Sequence, residues 1–203
     1  MIVDVSMTVG SGMVFRRGTP AVQISSQSFQ HESEGEYETT MLYLPAHTAT
    51  HVDLVFSDRD IAPARMIGNG KLIDASQLPA KQIELAEVWD QVEVESGDFV
   101  FFRTDWSRLA GTEKYYDHPE LTREVLEWLI GQKVNAVGID APGLGQGRKH
   151  GQHDRLLARH DIFVIENLVN LAALPPRGFR TYCLPLKIAG TDAIPARVLV
   201  EFD

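Results

Sequence analysis

Residues 47 to 53 read His47-Thr48-Ala49-Thr50-His51-Val52-Asp53, and this stretch holds three groups able to bind a divalent ion. Two imidazoles and a carboxylate suit a borderline metal such as zinc or manganese. Three protein ligands leave coordination positions for water, as a hydrolase requires. On a helix His47 and His51 would share a face. On a strand Asp53 joins them, because the side-chain period is two. Thr48, Thr50 and Val52 are β-branched and favour the extended choice. The reading is therefore one strand face presenting His47, His51 and Asp53.

Outward from this stretch, apolar runs mark a series of elements. Strands are predicted at Ile2–Val5, Met41–Leu44, Lys71–Asp74, Phe99–Arg103, Ala136–Ile139, Ile162–Ile165, Leu184–Ile188 and Ala196–Phe202. Helices are predicted at Ile83–Trp89, Leu121–Ile130 with Gly131 as its stop, and Arg155–Arg159. Residues 6–40 are polar and turn-rich, with Glu32, Glu34, Glu36 and Glu38 on a solvated loop or edge hairpin. Interleaved strands and helices make the fold mixed α/β, with too few helices for a regular doubly wound sheet.

Composition narrows the partners. A chain of 203 residues is read as one domain, 1–203, with room for a substantial core. The net charge of -9 argues against nucleic acid or an anionic membrane surface. No run reaches the roughly 18 apolar residues of a membrane span, and the start carries no basic segment of a leader. Cys183 has no second cysteine to pair with, which fits a reducing cytoplasm, and it reads as a buried small hydrophobe.

A second constellation follows about a hundred residues later. Asp140 closes an apolar strand within Gly138-Ile-Asp-Ala-Pro-Gly143, a position where ligands often bind in α/β proteins. His150, His153 and His160 come next, then Glu166 at the end of another apolar run. His153 and Glu166 are expected to reach the metal from the opposite side. Asp140 is a candidate brace for the second nitrogen of a metal-bound histidine. Tyr43, Phe56, Phe102 and Trp106 are candidate pocket walls, and Arg103 a partner for Asp105 or a substrate carboxylate.

These segments resemble, in order, those of the cyclase family that includes bacterial kynurenine formamidase and isatin hydrolase. Residues 47–53 resemble its signature His-x-Gly-Thr-His-x-Asp-x-Pro-x-His. Val100–Trp106, Val137–Pro142, His153 with Leu156-Leu157, Ile165–Leu168 and Pro185–Gly190 resemble its later motifs. The resemblance implies a mixed, partly barrel-like central sheet flanked by helices, a swivelling β/β/α arrangement, in a homodimer or homotetramer. It implies one or two ions, zinc or manganese: His47, His51 and Asp53 for the first, with Asp53 bridging to a second held by His153 and Glu166. His153 and Glu166 are also the candidate catalytic pair, as base and orienter.

The implied activity is hydrolysis of a small-molecule amide, an aryl formamide or cyclic amide, or of a related ester or lactone. The departures lie within and just after the heptad. Ala49 replaces the signature Gly, and Val55 and Ser57 replace its Pro and final His. That His is the acid/base proposed for kynurenine formamidase, and a serine hydroxyl cannot act as a base near pH 7. Asp58, Asp60 and His150 are the candidate substitutes, and a substrate other than formylkynurenine is expected. A metal-dependent cyclase or lyase and a non-catalytic metal-binding protein are the alternatives.

Overall fold

Phe99–Arg103 and Ala136–Ile139 become neighbouring parallel strands, as their unbroken apolar runs require for strands covered on both faces. The structure is a computed structural model that describes residues 1–56, 58–78 and 81–203; the Ser57 substitution lies outside the described residues. In chain order the strands are β1 (Ile2–Asp4), β2 (Gln23–His31), β3 (Gly35–Tyr43), β4 (His51–Asp53), β5 (Ile67–Asp74), β6 (Gln82–Ile83), β7 (Phe99–Arg103), β8 (Glu120–Leu121), β9 (Ala136–Ile139), β10 (Phe163–Glu166), β11 (Phe179–Pro185) and β12 (Ala193–Glu201). The helices are α1 (Leu85–Val88), α2 (Arg123–Gln132) and α3 (Arg148–Arg159).

The main sheet runs β1-β12-β11-β5-β7-β9-β10-β4, and β4 also pairs with β12. That last pairing closes seven strands into a barrel, with β1 added on the free edge of β12. Neighbours from β5 to β10 are parallel, whereas β4 is antiparallel to both of its partners. The expected mixed, barrel-like sheet with few helices is what forms.

Side-chain alternation divides the core in two. Phe99, Phe101, Ala136, Phe163, Ile165 and Val52 point into the barrel. Val100, Phe102, Val137, Ile139 and Val164 point outward, where Val125, Leu126 and Leu129 of α2 and Leu157 of α3 cover them. With Val52 inside, period-two geometry sends His51 and Asp53 to the outer face, under α3.

Several element boundaries differ from the sequence reading. Only residues 51–53 of the heptad are strand, and His47 to Thr50 form a turn, so His47 does not reach the site from a strand face. Helix α2 runs past Gly131 to Gln132 and stops where Lys133 adopts φ 58°. Helix α3 begins at Arg148, well before the predicted 155. The penultimate strand is Phe179–Pro185, ahead of the predicted span. The segment before the heptad is an extended hairpin, β2–β3, paired only with itself. Cys183 is buried as expected, and burial pushes its thiol up to about 12.

Gly138 on β9 marks a close approach: a Cβ there would lie 2.5 Å from Phe101 and 2.7 Å from Leu168. Gly138→Ala is therefore expected to lower unfolding stability by about 1–3 kcal/mol through overpacking. Urea unfolding followed by tryptophan fluorescence would read that loss.

Candidate metal centre

Strand pairing does the first part of the assembly. Glu166 lies directly opposite His51 in the β4–β10 register, and Val164 opposite Asp53. On one sheet face this brings His51 Nε2 to 3.4 Å from Glu166 Oε2 and 3.4 Å from Asp53 Oδ1. His47 enters from the preceding turn, its Nδ1 2.9 Å from Asp53 Oδ1 and 3.2 Å from His51 Nε2.

Helix α3 supplies the other wall. His150 and Asp154, four residues apart, share the helix face that also carries Leu157 and packs on β10. His150 Nε2 lies 3.5 Å from Asp154 Oδ2 and 3.8 Å from Glu166 Oε1. Gly143 makes room for that ring, since a Cβ there would meet His150 Nδ1 at 2.3 Å. Two groups of ligand atoms result: His47, His51 and Asp53, and Asp53, His150, Asp154 and Glu166. Within each, the atoms lie within 4.8 Å of one another. Asp53 belongs to both.

His153 does not join them, contrary to the sequence reading. Once the helix starts at 148, residue 153 is rotated off the face of 150 and 154. It lines a separate groove with Leu121, Lys149 and Leu156, and its Nδ1 is 3.4 Å from the Leu144 carbonyl. The brace assigned to Asp140 is also elsewhere. Asp140 accepts hydrogen bonds from the Thr104 amide and hydroxyl and the Asp105 amide, 2.6–2.8 Å long, with no histidine among its partners. Burial raises its carboxyl to about 6 against the lowering effect of those three hydrogen bonds. Asp192, before β12, takes the bracing position instead, with Oδ2 3.2 Å from His47 Nε2.

The charge balance identifies what the cluster can hold. Asp53, Asp154 and Glu166 are all buried, and among the described residues none is paired with a lysine or arginine. Oδ2 of Asp53, Oδ1 of Asp154 and Oε1 of Glu166 are buried and make no hydrogen bond. Buried carboxylates without lysine or arginine partners are very costly, and a cation among these clustered oxygens would offset that cost. Burial, then the nearby Glu166 and Asp53, raises Asp154 to about 9. Burial resists charge on His51, yet Asp53 and Glu166 hold its pKa well above the ordinary imidazole value. A divalent ion would supply that positive charge without ring protons, and the mixed N/O donor set suits zinc or manganese.

Behind the ligands a buried hydrogen-bond chain fixes the turn. His51 Nδ1 donates to the Ala49 carbonyl at 2.8 Å, which leaves Nε2 as the lone-pair nitrogen of the neutral ring. Asn167 Nδ2 donates to the same carbonyl at 2.8 Å, and Tyr115 Oη donates to Asn167 Oδ1 at 2.7 Å. Ala49 has φ 51°, the left-handed region that a Gly occupies freely and Ala at a cost of about 1 kcal/mol. Val55 has φ 66°, a conformation closed to proline. After Asp53 the chain thus departs from the signature in path as well as side chain.

The centre opens into a cavity of about 360 Å³ lined by His47, His51, His118, His150 and Glu166, with Phe15 and Tyr116 as aromatic walls. None of the predicted aromatic walls lines it; Phe102 is core. Arg103 is taken by Asp105 and Asp74. His118, Asp154 and Asp192 escaped the sequence reading. Only the HisxxxAsp spacing of 150 and 154 offered a signal.

The chain belongs to the cyclase family: the family's sequence profile ("Putative cyclase") matches residues 3–146. Isatin hydrolase of Roseibium aggregatum is 28% identical over 91% of this chain and 82% of its own length. Kynurenine formamidase of Erythrobacter litoralis is 27% identical over 98% and 92%. Among solved structures, an isatin hydrolase bound to the product analogue thioisatinate superposes with a TM-score of 0.81. That match is at 25% identity and covers 98% of this chain and 91% of the other. Isatin hydrolase A of Ralstonia solanacearum gives 0.79 at 25% identity over 100% and 92%. Among the described residues, no helix is long and apolar enough to cross a membrane.

Tyr115→Phe leaves Asn167 Oδ1 buried without its donor. A stability loss of about 1–3 kcal/mol is expected in urea unfolding.

Proposed function

We propose that this protein is a metal-dependent hydrolase of a small amide, an aryl formamide or cyclic amide, or of a related ester or lactone. The observation that carries the reading is the buried carboxylate Asp53, shared by two groups of potential ligands whose His47, His51, His150 and Glu166 line a small cavity. Relatives named isatin hydrolase and kynurenine formamidase, aligned over most of the chain, support the amide. Zinc or manganese in two sites is the proposed cofactor. His47, His51 and Asp53 would hold one ion, and Asp53, Glu166, Asp154 and His150 the other.

Bound there, such an ion would supply a water whose pKa falls from about 15.7 to about 7 and would polarise a carbonyl. The chain's own groups prepare the site. The Ala49 carbonyl locks the His51 tautomer, Asp192 steadies His47, and Asn167 holds the turn carrying both rings. Phe15 and Tyr116 offer flat apolar walls to an aromatic substrate and exclude water from one side.

We further propose self-association through the β2–β3 hairpin. A two-stranded ribbon is marginal alone in water, and this one exposes Phe29, Tyr37, Met41, Leu42 and Tyr43. A chromatographic mass of one chain would contradict this.

His51→Ala is expected to release metal and abolish hydrolysis of aryl formamides, cyclic amides and lactones in a product assay. Asp154→Ala should lower metal per chain while His153→Ala leaves it intact, as elemental analysis would read. Equal effects of the last two changes would contradict the ligand set.

A further inference from the structure

Hydrolysis of an amide needs a group that carries a proton from the attacking water to the departing nitrogen. Of the chain's seven histidines, His31 and His160 are exposed and His153 lines a separate groove. His47, His51 and His150 face the carboxylates. Asp60 is engaged with the Ile61 amide at 2.8 Å. His118 remains. Its residue is 4% exposed, and it lines the same cavity as His51 and Glu166.

The ring of His118 is held in one useful state. Nδ1 lies 2.7 Å from the Pro119 carbonyl, which can only accept, so Nδ1 carries the hydrogen. Nε2 is then a bare lone pair, and among the described residues it has no hydrogen-bond partner. The peptide around it is fixed by the loop at Gln146: the Gln146 side chain donates to the His118 carbonyl, and the Gln146 backbone amide to Glu120 Oε2. The charged groups whose fields reach the ring are Glu166 from β10, His150 from α3 and Glu120 from its own segment. Burial lowers the pKa of His118 below the ordinary imidazole value.

Resting on the hydrolase reading, we infer that His118 is the proton carrier of this centre, in the role the signature gives to an imidazole at position 57. As water attacks the carbonyl carbon, its oxygen forms the new C–O bond and its proton passes to His118 Nε2. The tetrahedral adduct then breaks its C–N bond. The electron pair leaves with nitrogen, which takes the proton back from Nε2. Water has been added across the amide and His118 is restored.

The test compares His118→Asn and His118→Gln with the wild type on two substrates, an aryl formamide and 4-nitrophenyl formate. The first leaving group needs a proton; the second does not. Asn retains a donor for the Pro119 carbonyl, and Gln retains the length of the ring. Unchanged metal content is expected, with the amide kcat reduced about 10²–10⁴-fold and the ester by a smaller factor, because the ester loses only the base step. Equal losses on both substrates, or no loss on the amide, would overturn the assignment. A wild type that hydrolyses neither class would instead remove the hydrolase reading. Long-range ¹H–¹⁵N spectra of histidine-labelled protein provide a readout without turnover: an Nδ1–H tautomer is expected for His118, and an Nε2–H tautomer contradicts the role.

Discussion

Three carboxyl groups, those of Asp53, Asp154 and Glu166, meet in one buried space between a sheet and a helix, with no lysine or arginine paired to them among the described residues. In a low-dielectric interior that arrangement is unfavourable without a cation. Much of the outer face of the barrel is organised around it. The β4–β10 register places two of the carboxylates' strands side by side, α3 brings the third, and the His47 turn covers the open end.

The ligands are oriented by backbone as much as by side chains. The Ala49 carbonyl is the hub, accepting from His51 and from Asn167, while Thr50 Oγ1 donates to the Asn167 carbonyl at 2.6 Å. The left-handed conformation of Ala49 aims that carbonyl. A modest local strain is thus offset by three buried hydrogen bonds, and the result is a fixed imidazole tautomer. The same device, a carbonyl holding Nδ1–H, recurs at His118 across the cavity. One wall therefore presents a nitrogen suited to a metal, and the other a nitrogen suited to a proton.

Much of the fold was legible because its strands are unbroken apolar runs. Phe99–Arg103 matched to the residue, and Ala136–Ile139 likewise. His51 and Asp53 on one strand face followed from period two. What was hidden depended on rotation or on distant contact. The start of α3 is masked by Gly147 and Gly151 and by the polar run between them. Without that start, the HisxxxAsp spacing alone does not choose His150 and Asp154 over His153. His118 sits in no motif, and only the meeting of residues 118–120 with the loop at Gln146 brings it to the cavity. Asp192 reaches His47 across 145 residues of chain. The segment of the β2–β3 hairpin read as a loop or an edge hairpin, because apolar side chains occur on both of its faces with no buried side to decide between them.

Anomalous diffraction from crystals of the purified protein, recorded on both sides of the zinc and manganese edges, tests the centre most directly. Two peaks are expected, one among His47, His51 and Asp53, the other among Asp53, His150, Asp154 and Glu166. A metal-replete crystal with no peak at either position, or with an ion bound by His153, would contradict the assignment.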